Sequence, residues 1–215
     1  NDKVCKPYDC YKFKNYDQIN SQQFSTDDFQ QFTLLEFIKN DRTLNIQLTG
    51  SRKFSEAIIY TKSEETKQFD PSGLIQRLAV LFTTKDITSF NPIINVTDPG
   101  LFVPEGVPNI EGFTKLINIE LANPPLYGQL IDDYLTNYKT IDPSVVKAAS
   151  ITLSVPKDKY YSLDEDQKQG LALYYKLGPT WKRNMLKCEE KETEVLCNVA
   201  FESFSNNFAL SITDD

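Results

Sequence analysis

Residues 194–201 have the sequence EVLCNVAF, in which Val195, Cys197 and Val199 occupy every second position. A period of two places these side chains on one face of a β-strand, so the stretch predicts a strand with one face towards a core. Cys188 precedes it, and a strand there would bring a second thiol close to Cys197. The stretch therefore predicts a β-rich fold with a candidate disulfide.

The same alternation occurs in several other parts of the chain. An apolar run at 32–38 and alternating apolar residues at 44–48 flank the turn-forming pair Asn40-Asp41, which predicts a hairpin. Further strands are predicted at 57–60, 117–121, 151–155, 171–175 and 207–212. This number of strands predicts a mainly β fold, β-sandwich-like with a few short helices, and leaves an α+β fold as the alternative.

Helical signals are fewer. Asp70-Pro71 has the form of a helix start, and apolar residues follow at helical spacing from Leu74 to Phe82. A second, amphipathic helix is predicted over 130–138. The sequence from Ser162 to Glu165 has the form of a capping box and predicts a brief helix that ends near Gly170.

Prolines 92, 99, 104 and 108 and two glycines between them interrupt the middle of the chain, which is typical of a linker or a long loop. We therefore predict four parts. They are an extended N-terminal arm at 1–30, a β-rich first unit at 31–90, a linker or long loop at 91–108, and a second β-rich unit at 109–215.

The chain contains no histidine. This excludes Ser-His-Asp and Cys-His catalysis and any histidine-ligated metal site. Carboxylate chemistry remains, but the acidic clusters at 27–28, 132–133, 164–166 and 214–215 are typical of solvated surface, a helix cap or a tail, and the cluster at 164–166 lacks EF-hand spacing. We predict no enzyme activity, no catalytic residue, no metal site and no cofactor.

The formal net charge is -7, with scattered Lys and Arg, so the chain repels phosphate backbones and anionic membrane surfaces. No apolar run approaches the roughly 20 residues that a membrane span requires. We predict no nucleic-acid partner and no direct membrane insertion. The chain begins with Asn1 rather than Met, so it is either a processed protein or a piece of a longer one.

The four cysteines fall into two local pairs, Cys5 with Cys10 and Cys188 with Cys197. Four cysteines allow three connectivities, and the strand pattern around Cys197 favours nearest-neighbour pairing. The alternative is four reduced thiols in a cytosolic protein. Disulfides predict an extracellular or cell-surface location.

Asn95-Val96-Thr97 is an N-glycosylation sequon. It agrees with an oxidising compartment and predicts an N-linked glycan at Asn95.

The C-terminal part of the chain contains an ordered set of aromatic residues and cysteines: Tyr174-Tyr175, Trp181, Cys188, Val195, Cys197 and Phe208-Ala209-Leu210. This set resembles the closing strands of GAIN domains, the membrane-proximal modules of adhesion receptors and polycystin-like proteins, which end in a GPS motif.

The chain departs from that family in its cysteines and in its cleavage motif. Tyr175 and Val199 lie near the positions of two family cysteines, which implies that Cys188 and Cys197 pair with each other. Phe204-Ser205-Asn206 replaces the self-cleaving His-Leu-Thr, and autoproteolysis needs a base to activate the hydroxyl. The resemblance therefore implies an uncleaved, purely structural relative.

These observations favour a non-catalytic extracellular structural or adhesive module, part of a surface coat or filament, whose partners are other protein chains, copies of itself among them. The arm at 1–30 is suited to donating a strand to a neighbouring subunit. Two alternatives stay open. One is a non-cleaving GAIN-like ectodomain of a membrane receptor, and the other is a hydrolase with two carboxylates about 5–10 Å apart.

Overall fold

The computed structural model describes residues 57–63 and 66–213 in full, together with the backbone of strands at 3–6, 9–13, 34–39, 42–47 and 52–54. The strands are β1 (Lys3–Lys6), β2 (Asp9–Phe13), β3 (Leu34–Lys39), β4 (Arg42–Gln47), β5 (Arg52–Phe54), β6 (Ala57–Thr61), β7 (Ile75–Phe82), β8 (Asn91–Thr97), β9 (Lys115–Ala122), β10 (Val146–Pro156), β11 (Leu171–Leu177), β12 (Thr180–Met185), β13 (Lys187–Glu190), β14 (Glu194–Phe201) and β15 (Asn207–Ile212). The helices are α1 (Ile131–Asn137), α2 (Lys157–Tyr161) and α3 (Glu165–Gln169). The prediction of a mainly β fold with a few short helices is confirmed.

Two large antiparallel sheets contain most of these strands. One has six strands in the order β13-β14-β10-β7-β6-β5, and the other has five in the order β12-β11-β15-β9-β8. A smaller sheet at the start of the chain has the order β1-β2-β3-β4. Each large sheet combines hairpin neighbours with strands that are distant in sequence: β10 pairs with β14 and β7 in one sheet, and β15 pairs with β11 and β9 in the other.

The two large sheets share one hydrophobic core. Ile151 and Leu153 from β10 and Ile119 and Leu121 from β9 are fully buried, or nearly so, in a single cluster that contains residues of both sheets. Burial of each such side chain stabilises the fold by about 1.5–3 kcal/mol. The arrangement is a β-sandwich, in which alternate residues of each strand face the other sheet.

The segment 70–82 forms a turn and a strand instead of the predicted helix. The buried Asp70 carboxylate accepts hydrogen bonds from the backbone N–H groups of Gly73 and Ile75, each at 3.1 Å. Gly73 has a φ of 66°, a left-handed conformation that interrupts a helix in its first turn. In β7, which follows, Leu78 and Val80 are fully buried with the two-residue period of a strand.

Residues 91–97 belong to a sheet and not to a linker, because they form β8, which pairs along its length with β9. Moreover, β7, from the predicted first unit, pairs with β10, from the predicted second unit. Strands from both sides of the predicted boundary therefore share one sheet and one core. Pro92 is tolerated because an edge strand needs no hydrogen bond on its outer side.

Part of the predicted N-terminal arm is paired. β1 and β2 form an antiparallel hairpin in which the Cα atoms of Cys5 and Cys10 are direct partners. β2 continues into pairing with β3 over two residue pairs. The side chains of both cysteines lie outside the described residues, so their disulfide stays a prediction. β3 and β4 pair over six residue pairs, which confirms the predicted hairpin.

The predicted brief helix is present as α3, but its cap lies two residues later than predicted. The Asp164 carboxylate accepts a hydrogen bond from the N–H of Gln167 at 2.8 Å, and the Gln167 side chain accepts one from the N–H of Asp164 at 3.0 Å. Ser162 instead ends the preceding helix α2.

Candidate functional site

The disulfide between Cys188 and Cys197 ties an edge strand to the core. The two residues are direct partners in the β13–β14 register, with Cα atoms 4.0 Å apart. Cys197 is fully buried in the main cluster, whereas Cys188 packs at its margin. The predicted nearest-neighbour pairing is confirmed for these two residues.

Asn95 lies on the outer face of β8, the edge strand of the five-stranded sheet. It is exposed, and its side chain makes no hydrogen bond with any described residue. Its partner across the strands is Asn118, whose amide instead donates to Asn206 O and Asn207 Oδ1 at 3.2 and 3.4 Å. The structure thus leaves the predicted glycosylation residue accessible.

A second exposed feature is the chain between β9 and α1. We name residues 126–131 the apolar segment. Leu126, Tyr127 and Leu130 are 78%, 84% and 70% exposed, and Ile131 is exposed beside them. The amphipathic pattern predicted Leu130 and Ile131 to face the core with the rest of the helix, and this was wrong. Leu126 and Tyr127 were not identified, because no periodic pattern distinguishes them from loop residues.

The apolar segment borders a groove of about 350 Å³ whose walls include Pro124, Leu126, Tyr134 and Tyr138. Tyr134 is buried and its hydroxyl donates to Asn123 O at 2.7 Å, while its ring meets Phe69 edge-on at 5.9 Å. These contacts fix helix α1, and with it one wall of the groove, against the five-stranded sheet.

The two tyrosines in the wall of this groove, Tyr134 and Tyr138, carry no charge. Burial raises the pKa of Tyr134 to about 12. Burial, together with the hydrogen bond that its hydroxyl donates to Glu120, raises the pKa of Tyr138 to about 12. Both phenols therefore stay neutral at physiological pH, which suits an apolar ligand or side chain.

A larger groove, of about 740 Å³, lies on the outer face of the five-stranded sheet. Its lining includes Tyr174, Trp181 and Arg183 from the sheet and Val107 and Pro108 from the loop that follows β8. The loop is held in place because Ser211, which is fully buried, donates from Oγ to Pro108 O at 2.6 Å. This groove combines aromatic surface with positive charge.

The same loop exposes two apolar residues at its tip. Leu101 and Phe102 are 95% and 87% exposed. The β8–β9 register places this loop next to Thr97 and Leu116, whereas the apolar segment follows Ala122 at the other end of the hairpin. The two exposed apolar sites therefore lie at opposite ends of β8 and β9.

The acidic clusters within the described residues are spread over the surface. Asp132 and Asp133 are both exposed in the first turn of α1, and Asp164 caps α3. Among residues 57–63 and 66–213, no group of three or more acidic or cysteine side chains is arranged to hold a metal ion. The clusters at 27–28 and 214–215 lie outside the described residues.

None of the helices in the described part of the chain is long and apolar enough to span a membrane. Comparison of the chain with known protein families, with curated proteins and with solved structures found no match.

Proposed function

We propose that this chain is a non-catalytic extracellular adhesive or structural module that binds copies of itself through the apolar segment. The observation that carries the proposal is the high exposure of Leu126 and Tyr127 beside a groove that is walled in part by Pro124 and two neutral tyrosines. Large apolar side chains in that position gain free energy when a partner removes them from water.

The neighbourhood of the segment argues for a second copy as the partner. Leu126 and Tyr127 project from the surface, and the groove lined by Tyr134 and Tyr138 lies directly beside them. A projecting residue next to a cavity makes the surface complementary to itself under a two-fold axis, which is the commonest symmetry of protein dimers. The groove, at about 350 Å³, has room for one apolar side chain.

The disulfide supports the extracellular part of the proposal. Disulfides persist in oxidising compartments and are rare in the cytosol, and Cys188–Cys197 joins two strands within the folded core region. A surface coat or filament would use the same self-binding contact repeatedly.

A bead-clustering assay tests the proposal. Beads coated with the secreted 215-residue chain are expected to cluster, and the Leu126→Glu/Tyr127→Glu variant should abolish clustering because it places two charges in the contact. The matched control is Leu101→Glu/Phe102→Glu, which adds the same charges to equally exposed residues at the other end of the hairpin and should cluster like the unmodified chain.

Two results would contradict the proposal. One is that beads coated with the unmodified chain do not cluster. The other is that the two double variants behave alike. Circular dichroism of each variant separates loss of the contact from loss of the fold.

Strand donation by residues 1–30 remains a second route of assembly. The motivating observation is that, within the strands whose backbone is described, β2 pairs with β3 over two residue pairs, against six for β3 with β4. A short pairing is more easily exchanged between copies than a long one. Clustering that persists in the Leu126→Glu/Tyr127→Glu chain and disappears when residues 1–30 are also removed would favour this route over the apolar segment.

We also propose, as a second candidate, that the chain is a non-cleaving GAIN-like ectodomain. The observation in its favour is that the matching residues lie on five consecutive strands, β11 to β15. If the chain is not cleaved, the mass of the expressed protein should equal the mass of the whole sequence. The hydrolase alternative has no comparable support. It needs two carboxylates in one cleft, whereas the two grooves above have none among the described residues of their linings and a third, of about 350 Å³, has only Asp98.

A further inference from the structure

Strand β8 is an edge of the five-stranded sheet. An edge strand offers unpaired backbone N–H and C=O groups to strands of other chains, and natural proteins block such edges in several ways. β8 is seven residues long, long enough to act as a template for pairing. How its outer side is blocked therefore determines whether the sheet extends from one molecule to another.

Three residues of β8, Pro92, Ile94 and Val96, have their backbone nitrogens on the side of the strand that faces away from β9. Ile94 identifies this side, because its N–H donates to Phe69 O at 2.8 Å rather than to β9. In an antiparallel strand the direction alternates, so Pro92 and Val96 share the outer side with Ile94. Pro92 has no N–H to offer.

Val96 is the outer position without protection. Its N–H has no hydrogen-bond partner among the described residues. Its side chain packs against the core, so no charged group projects from this position to discourage pairing. The residues on either side of it, Asn95 and Thr97, are the first and last residues of the sequon, and both are exposed.

We infer that an N-linked glycan on Asn95 shields the unprotected part of the β8 edge and prevents pairing with a strand of another chain. The inference rests on the extracellular location in the proposed function. Attachment forms a bond from Asn95 Nδ2 to C1 of the sugar, breaks the bond from C1 to the lipid pyrophosphate of the oligosaccharide donor, and releases an amide proton. The glycan then projects from the outer face beside Val96, and its bulk obstructs the space next to the β8 edge that an incoming strand would occupy.

The test uses the 215-residue chain secreted from a eukaryotic host, with Leu126→Glu/Tyr127→Glu present in every sample. This background removes the contact of the proposed function, so the two ideas fail independently. Asn95→Gln and Thr97→Ala abolish the sequon, and Thr97→Ser is the matched control that keeps it. Asn95→Lys abolishes the glycan but adds a charge to the edge, as natural edge strands do.

The measurements are intact mass before and after glycosidase treatment and sedimentation velocity over a range of concentrations. We expect Asn95→Gln and Thr97→Ala to associate at concentrations about tenfold lower than Thr97→Ser, which corresponds to about 1.4 kcal/mol. Asn95→Lys should remain as dissociated as Thr97→Ser.

Three results would overturn the inference. The first is the absence of a sugar from the secreted parent chain. The second is equal association of Asn95→Gln, Thr97→Ala and Thr97→Ser. The third is association of Asn95→Lys as strong as that of Asn95→Gln, which would place the contact away from the β8 edge. None of these results depends on whether coated beads cluster.

Discussion

At the scale of single residues, Tyr134 and Tyr138 fix the wall of the groove beside the apolar segment. Tyr134 is buried against Phe69 and donates to the Asn123 carbonyl, and Tyr138 donates to Glu120. Each phenol is held in its neutral form by these surroundings, and the pKa of each is raised to about 12. The position of this wall therefore depends on the hydrogen bonds that the protonated hydroxyls of Tyr134 and Tyr138 donate.

These raised pKa values predict a loss of stability in alkaline solution. The pKa of both tyrosines rises from 10.0 to about 12 on folding, so the folded state holds the two protons more tightly than the unfolded state. Their contribution to the free energy of unfolding is complete below pH 10 and is lost as the pH rises towards 12. Urea unfolding measured between about pH 9 and pH 11 should show this decline.

The Tyr134→Phe variant tests whether the Tyr134 hydroxyl contributes to stability and to its decline in alkaline solution. It should lower the free energy of unfolding at neutral pH by about 1 kcal/mol, because the bond to Asn123 O is lost, and should weaken the alkaline decline. Tyr127→Phe, in an exposed side chain, should leave the value at neutral pH unchanged. An alkaline decline of undiminished size in Tyr134→Phe would contradict the role given to its hydroxyl.

At the scale of elements, the turn at 70–74 sets the start of β7. The Asp70 carboxylate accepts hydrogen bonds from Ser72 Oγ at 2.6 Å and from two backbone N–H groups, those of Gly73 and Ile75. The Ile75 N–H is buried, so without Asp70 it would have no acceptor. One side chain thus directs the chain into a strand at the centre of the six-stranded sheet.

Removal of this carboxylate should be costly. We expect Asp70→Ala to lower the free energy of unfolding by about 2 kcal/mol, because buried donors lose their acceptor. Asp70→Asn keeps one acceptor oxygen and should cost less. Asp133→Ala, on the exposed side of α1, is the control. Denaturant unfolding of the three variants checks the order, and equal losses for Asp70→Ala and Asp133→Ala would rule out the role assigned to the turn.

At the scale of the whole molecule, the two large sheets share one buried core, and we therefore expect them to unfold together. Leu153 from the six-stranded sheet and Ile119 from the five-stranded sheet lie in the same buried cluster. Trp181, the one tryptophan of the chain, lies on β12 of the five-stranded sheet. Its fluorescence therefore reports on one sheet while substitutions can be made in the other.

We expect Leu153→Ala and Ile119→Ala to shift the same thermal transition of Trp181 fluorescence. Each removes a fully buried side chain and should cost about 2–5 kcal/mol. Leu177→Ala, at a partly exposed position of β11, should have a small effect. A Trp181 transition that responds to Ile119→Ala and ignores Leu153→Ala would mean that the two sheets unfold separately.

Strict alternation of apolar residues was sufficient to predict several strands from the sequence. β14 and β15 begin and end at the predicted residues, and the predicted strand at 151–155 lies within the longer β10. Cys188 and Cys197 could be paired in advance because neighbouring antiparallel strands bring such residues opposite each other. In residues 151–155 and in Val195, Cys197 and Val199 of β14, apolar side chains recur at every second position and are buried, so the local pattern and the tertiary fold agree there.

Other features were decided by the tertiary structure. The segment 74–82 satisfies a helical spacing and a strand spacing at once, and its place between β6 and β10 selects the strand. The prolines at 91–108 predict a linker, but pairing with β9 makes residues 91–97 an edge strand. Leu130 and Ile131 fit an amphipathic pattern that predicts a core-facing side, and they are exposed because no described element covers them. Burial depends on which distant residues arrive at a surface, and a local pattern does not contain that information.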